Sequence, residues 1–129
     1  MTSSSYRRMK RKSPELWKAR ILKASLHRFG VNLTIEQILD WMMRAPVCTY
    51  CGEKIPVRKY SVDHIVPRSR GGPPDDLANL QLIDEGCNLM KGNMLDNEFR
   101  DLLAYLSDKP VVGKMIRQRL KASGYLFSH

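Results

Sequence analysis

Four short groups of residues in this chain have side chains suited to chemistry. Cys48 and Cys51 form a Cys-x2-Cys pair. Asp63-His64 closes a strand-like run. Asn79-Leu80-Gln81-Leu82 follows a Gly-Pro-rich stretch, and Cys87-Asn88 leads on to Lys91-Gly92. Two thiolates from one turn are the usual start of a structural metal site. Carboxylate and imidazole groups beside a divalent cation are the usual means of cutting a phosphodiester. An imidazole with its unperturbed pKa of ~6.5 is mostly neutral at pH 7, so His64 can take a proton from water. Asp63 offers a hard oxygen to Mg²⁺. Adjacent side chains on a strand point to opposite faces, so both serve one site only where the strand ends or bends, and Pro67 is placed to help.

Cys87 adds a third thiol. Asp84 stands three residues before it, where a second Cys-x2-Cys would begin. Zinc accepts carboxylate oxygen, so Cys48, Cys51, Asp84 and Cys87 form a possible four-ligand set. The other reading makes Asp84 a surface acid beside a decayed site.

The elements that must position these groups can be read around them. Ser13-Pro14-Glu15 starts a helix running to about Arg28 and stopped by Gly30. Trp17, Ile21, Ala24 and Leu26 are expected on its apolar side, with Lys18, Arg20 and Lys23 exposed. Thr34-x-x-Gln37 is a capping box opening a second helix to about Arg44, with Ile35, Ile38, Leu39, Met42 and Met43 as core. Strands are expected over Lys59–Val66 and Asn79–Ile83, with a loop over Arg68–Asp76 that contains Gly71-Gly72-Pro73-Pro74. A helix from Cys87 breaks near Gly92 and resumes at about Asp96, with Phe99, Leu102, Leu103 and Leu106 buried. A last helix is expected over 108–123.

Length and charge set the frame. The chain has 129 residues, a net charge of +9 and a pI near 9.7. This suggests one domain over 13–129, with a core at 48–106 and helical flanks at 13–45 and 108–123. Residues 1–47 carry ten Lys/Arg against three Asp/Glu, residues 48–107 seven against nine, and residues 108–129 five against one. A slightly acidic centre between basic flanks suits a cation site served by phosphate-attracting arms, although basic flanks also simply solubilise. Residues 1–12 read as a flexible arm, because Arg7, Arg8, Lys10, Arg11 and Lys12 repel one another. These five, with Arg68, Arg70, Lys114 and Arg117, are the candidate nucleic-acid contacts. Lys91 is another, or else a solvated helix lysine. The polar N-terminus lacks the apolar stretch of a signal peptide, and no apolar run approaches the ~18–20 residues of a membrane span. A protein of the cell interior is therefore expected, cytoplasmic or phage-encoded and acting in host cytoplasm.

From Cys48 to Gly92 the sequence resembles the HNH endonucleases, or ββα-metal nucleases. The likeness rests on Cys48-x2-Cys51, Asp63-His64-Ile65-Val66-Pro67, Gly71-Gly72, Asn79-Leu80-Gln81-Leu82 and Cys87-Asn88-x2-Lys91-Gly92. It implies an α+β fold in which a β-hairpin and a helix clasp a catalytic Mg²⁺ or Mn²⁺ above a structural Zn²⁺. It implies His64 as general base and Asp63 and Asn88 as metal ligands, with Asn79 steadying loop and base. Asp84 in place of a Cys is the departure. The implied partner is double-stranded DNA, nicked by a monomer or cut by a homodimer. The alternatives are a zinc-containing DNA-binding module that does not cleave, and a structure-specific or RNA-directed nuclease. An intact His64 with two metal ligands weighs against the first.

Overall fold

A computed structural model describes residues 3–108 and Gln118. Its elements in chain order are α1 (Ser3–Lys12), α2 (Pro14–Arg28), α3 (Ile35–Arg44), β1 (Tyr60–His64), β2 (Leu80–Asp84), α4 (Glu85–Lys91) and α5 (Asp96–Ser107). The fold is α+β. β1 and β2 form an antiparallel pair in which Tyr60 faces Asp84, Asp63 faces Gln81 and His64 faces Leu80.

Alternation along β1 assigns its two faces to two helical layers. Tyr60 and His64 look toward α2 and α3. The Tyr60 hydroxyl donates to the carbonyls of Met42 at 3.0 Å and Ala45 at 2.9 Å, and the His64 ring meets Phe29. Ser61 and Asp63 look toward α4, where they bond Asn88 and Lys91. The hairpin is thus clamped between the N-terminal helices and α4. The buried core joins Leu22, Leu26, Ile38, Met42, Ile55, Leu82, Ile83 and Phe99. Phe99 is fully buried, and burial of such a ring contributes ~1.5–3 kcal/mol.

α3 forms as its sequence dictates. The Thr34 hydroxyl accepts from Gln37 N–H, and the Gln37 side chain accepts from Thr34 N–H. Met43, expected in the core, is 80% exposed, because the inward stripe follows Ile38 and Met42. α2 also turns a different face inward. Lys18, Ala19, Leu22 and Leu26 are buried, whereas Ala24 is exposed. The helix has apolar residues on two adjacent stripes, and packing on β1 and α3 chooses between them. Lys18 lies within the chosen stripe, where its long stem can cover apolar surface. Burial holds its ammonium below the usual lysine range, against a smaller opposing pull from Glu85.

Residues 3–12, expected as an unfolded arm, are helical. Arg, Met and Lys are good helix formers, and the basic last turn of α1 suits the helix dipole. The Lys10 ammonium lies 4.7 Å from the centre of the Trp17 ring, and Ser13 N–H donates to Met9 C=O at 2.8 Å. These contacts tie α1 to α2. The helix expected over 108–123, with Lys114, Arg117, Arg119 and Lys121, lies outside the described residues except Asp108, which closes α5, and Gln118.

Candidate active site

His64 stands at the last position of β1, where the strand gives way to the loop carrying Pro67 and Gly72. Its Nε2 lies 3.1 Å from the Pro74 carbonyl oxygen. A carbonyl can only accept, so Nε2 carries the proton. The lone pair of the neutral ring then sits on Nδ1, the atom able to act as a base.

Asn79 fixes the loop that supplies this carbonyl. Its Oδ1 accepts from Val66 N–H at 2.9 Å. Its Nδ2 donates to the carbonyls of Val66 at 3.0 Å and Pro73 at 3.1 Å. Ile65 N–H donates to Asn79 C=O at 2.8 Å, so the Asn79 side chain continues the β1–β2 ladder by one further rung. Gly72 closes the loop from the other side. A Cβ there would stand 1.8 Å from the Val66 carbonyl oxygen, so no larger residue fits without moving backbone.

An open cavity of about 700 Å³ runs along β1 and is lined by Asp63, His64, Arg68, Asn88 and Asn93, among others. The end of the strand lets the oppositely directed Asp63 and His64 border the same space. The Asn88 Nδ2 donates to Ser61 Oγ at 2.6 Å and Val62 C=O at 3.1 Å. Both amide hydrogens are thereby used, and its carbonyl oxygen is the group it can offer to a cation.

Asp63 is buried and lies in a polar chain that crosses the domain. Its Oδ1 accepts from Lys91 Nζ at 3.1 Å and its Oδ2 from Gln81 Nε2 at 2.8 Å. The other hydrogen on Gln81 Nε2 goes to the Tyr50 hydroxyl at 3.0 Å, which itself donates to Asp96 at 2.7 Å. Burial first, and then the bond to Asp96, push the Tyr50 hydroxyl far up. That bond and Arg100 hold the Asp96 carboxyl down against partial burial.

Lys91 is not the phosphate contact the sequence suggested. It is buried, and its ammonium donates to Asp63, to His64 C=O at 3.0 Å and to Ile65 C=O at 3.1 Å, using all three hydrogens inside the protein. Arg70, also expected on nucleic acid, pairs with Glu98 of α5. Arg68 stays exposed at the cavity, its guanidinium 5.7 Å from the centre of the Phe29 ring. Arg7, Arg8, Arg11 and Lys12 are exposed on α1.

Of the four possible zinc ligands, three come together. The sulfurs of Cys48, Cys51 and Cys87 lie within 4.8 Å of one another. A tetrahedral zinc with Zn–S bonds of ~2.3 Å draws sulfurs to roughly 3.8 Å, so the group fits that ion after a small contraction. Asp84 is near through its main chain. Its carboxylate lies outside the group and caps α4, accepting from Gly86 N–H at 2.8 Å. Burial pushes the Cys48 thiol up, but the N–H groups of Asp84, Cys51 and Tyr50 outweigh it and hold the thiol below the ordinary value. Burial and its sulfur neighbours push Cys87 well up.

Reading residues alone missed Gln81, Tyr50, Phe29 and the inward role of Lys91. Gln81 could have been found from the hairpin register, which places it directly opposite Asp63. Phe29 gives no local sign of its contact with His64.

The match to known proteins falls on this same stretch. Residues 48–94 match the family model for HNH endonuclease, and this segment is an HNH endonuclease domain, a little over a third of the chain. Over 46 residues the chain is 41% identical to the CRISPR-associated endonuclease Cas9 of Corynebacterium diphtheriae. That alignment covers 36% of this chain and 4% of the Cas9 protein. Among the described residues no helix is long and apolar enough to cross a membrane.

Proposed function

We propose that this protein is a metal-dependent DNA endonuclease that nicks one strand at a time by hydrolysis. The observation that carries the reading is the shared cavity. A base whose Nε2 is held by Pro74 borders it together with two oxygen-bearing side chains and an exposed arginine.

Asp63 and Asn88 would hold a Mg²⁺ or Mn²⁺. Each carboxylate oxygen of Asp63 accepts one hydrogen bond and keeps a further lone pair, and the Asn88 carbonyl is a hard donor, so the residues fit a hard cation. When bound, that cation neutralises charge on the phosphate and the leaving 3′ oxygen. His64 takes the proton of the attacking water on Nδ1, and the Pro74 carbonyl keeps the ring in the required tautomer. Asn79 holds that carbonyl in place, and Arg68 grips a phosphate at the cavity. Asp63→Ala and Asn88→Ala should lose nicking through the metal, and excess Mg²⁺ should partly restore both. Incubating supercoiled plasmid with and without Mg²⁺ tests the whole reading. Mg²⁺-dependent conversion to open circles supports it, and intact plasmid at every metal concentration sinks it.

Cys48, Cys51 and Cys87 would hold one zinc per chain, with the fourth position left to Asp84 or a water. Elemental analysis after chelator-free purification should find about one zinc. Cys87→Ser should lose more zinc and more thermal stability than Asp84→Ala. Retention should fall in acid, because protons compete for the thiolates. A zinc-free protein with an unchanged melting temperature would contradict the assignment.

Basic α1 would bind phosphates without reading bases. Deleting residues 1–12 should weaken DNA binding about equally across sequences. It should also make the log–log salt dependence shallower, by ~0.9 for each phosphate that α1 no longer neutralises. An unchanged slope would leave α1 with no part in DNA binding.

A further inference from the structure

We propose that Phe29, outside the HNH segment, is a positioning residue of the centre, setting both the His64 ring and the Arg68 guanidinium. The proposal rests on the reading of His64 as the base.

Phe29 directly follows α2, in a turn fixed by its main chain. Phe29 and Val31 N–H both donate to Leu26 C=O, at 3.0 and 2.9 Å, and Gly30 N–H donates to His27 C=O at 3.0 Å. Gly30 adopts φ +88°, which only glycine takes readily. A Cβ on Gly30 would lie 3.4 Å from the Asp75 Cβ, so this turn rests against the loop that presents Pro74. The Phe29 side chain has little freedom to follow other paths.

Two functional groups meet its ring. The His64 and Phe29 centroids are 4.7 Å apart with an angle of 84° between planes, the edge-to-face arrangement aromatic pairs favour. The Arg68 guanidinium stacks on the same ring as a cation on a π face. His64 is thus held by Pro74 through one nitrogen and by Phe29 through its ring. Rotation about the Nε2 bond would break the aromatic pairing, so the two together fix the direction of Nδ1. The stem of Arg68 is long and exposed, and Phe29 is what holds its head beside the cavity. An aromatic ring from the end of α2 therefore completes a centre whose reacting groups lie in the HNH segment.

The test compares the full-length protein with Phe29→Leu, Phe29→Met and Phe29→Tyr, with melting temperatures measured for each. Leucine and methionine keep much of the apolar volume and remove the ring, and methionine carries the test if leucine does not fold. At saturating plasmid the ring-less variants are expected to nick roughly 10–100-fold more slowly, the scale of loss for a misplaced reacting group, while tyrosine stays near the unmutated rate. In NMR spectra the ring protons of His64 should shift in the ring-less variants and not in Phe29→Tyr. Arg68→Ala should raise KM for DNA and leave the His64 resonances in place. Ring-less variants that nick at the unmutated rate, or leave the His64 resonances unmoved, overturn the proposal. Failure of the nuclease reading itself shows separately, as an unmutated protein that does not cut. In that event the His64 resonances alone decide whether Phe29 sets the ring.

Discussion

Replacing His64 with alanine is expected to cut plasmid nicking by a factor on the order of 10²–10⁴, the usual contribution of a general base. The substitution removes the imidazole and its bond to Pro74, and it touches none of the three thiols. Zinc content and DNA affinity should therefore stay close to those of the unmutated protein. Excess Mg²⁺ should not restore cutting, because the missing step is proton transfer. This separates His64→Ala from the Asp63 and Asn88 variants, whose loss runs through the cation. Nicking by His64→Ala at the unmutated rate and matched Mg²⁺ would place the active site elsewhere. A DNA-binding module that does not cleave would then account better for the chain.

The largest stability effect is expected at Lys91. Its ammonium and the Asp63 carboxylate are almost wholly removed from solvent, with side chains 0% and 4% exposed. Lys91→Met would leave the carboxylate with Gln81 alone and strip the donor from two carbonyls at the end of β1. Breaking one side of such a pair costs about 3–5 kcal/mol, because the remaining charge stays buried without its counterion. Small domains have only ~5–15 kcal/mol in total, so this loss should be plain in urea unfolding followed by Trp17 and Trp41 fluorescence. The double variant Asp63→Asn, Lys91→Met should recover part of it, since no charge is then left alone. A loss below ~1 kcal/mol for Lys91→Met would mean that water reaches the pair and screens it.

The difference between Lys91 and His64 shows where sequence reading succeeds. The Cys pair, the α3 capping box and both strands could be read because their signals are local, written in neighbouring residue types. The strands fell within two residues of their observed ends. The HNH likeness extended this to His64, Asn79 and Asn88, since fixed spacing ties those positions together. Lys91 could not be read this way. A lysine three residues after Asn88 looks like a solvated helix position until its partner, 28 residues earlier, is known to face it. The inward face of α2 failed for a related reason. Periodicity offered two stripes, and only packing on β1 and α3 selects Leu22 and Leu26 over Ile21 and Ala24. Asp84 shows a third limit. Its spacing suggested a metal ligand, and the same spacing makes it the cap of α4.

The chain of hydrogen bonds from Asp96 through Tyr50, Gln81 and Asp63 to Lys91 bears on how the domain comes apart. Tyr50 lies between two of the clustered cysteines, and Lys91 ends the chain on the carbonyl of His64. Opening at either end exposes a buried polar group at the other. The thiol turn, the hairpin, α4 and the start of α5 are therefore joined in one cooperative unit and do not fray separately. In hydrogen exchange their slowest amides should open together, while α1, held chiefly by its packing on α2, opens on its own. Loss of order at the thiol cluster would be felt at His64 although the two sites do not touch.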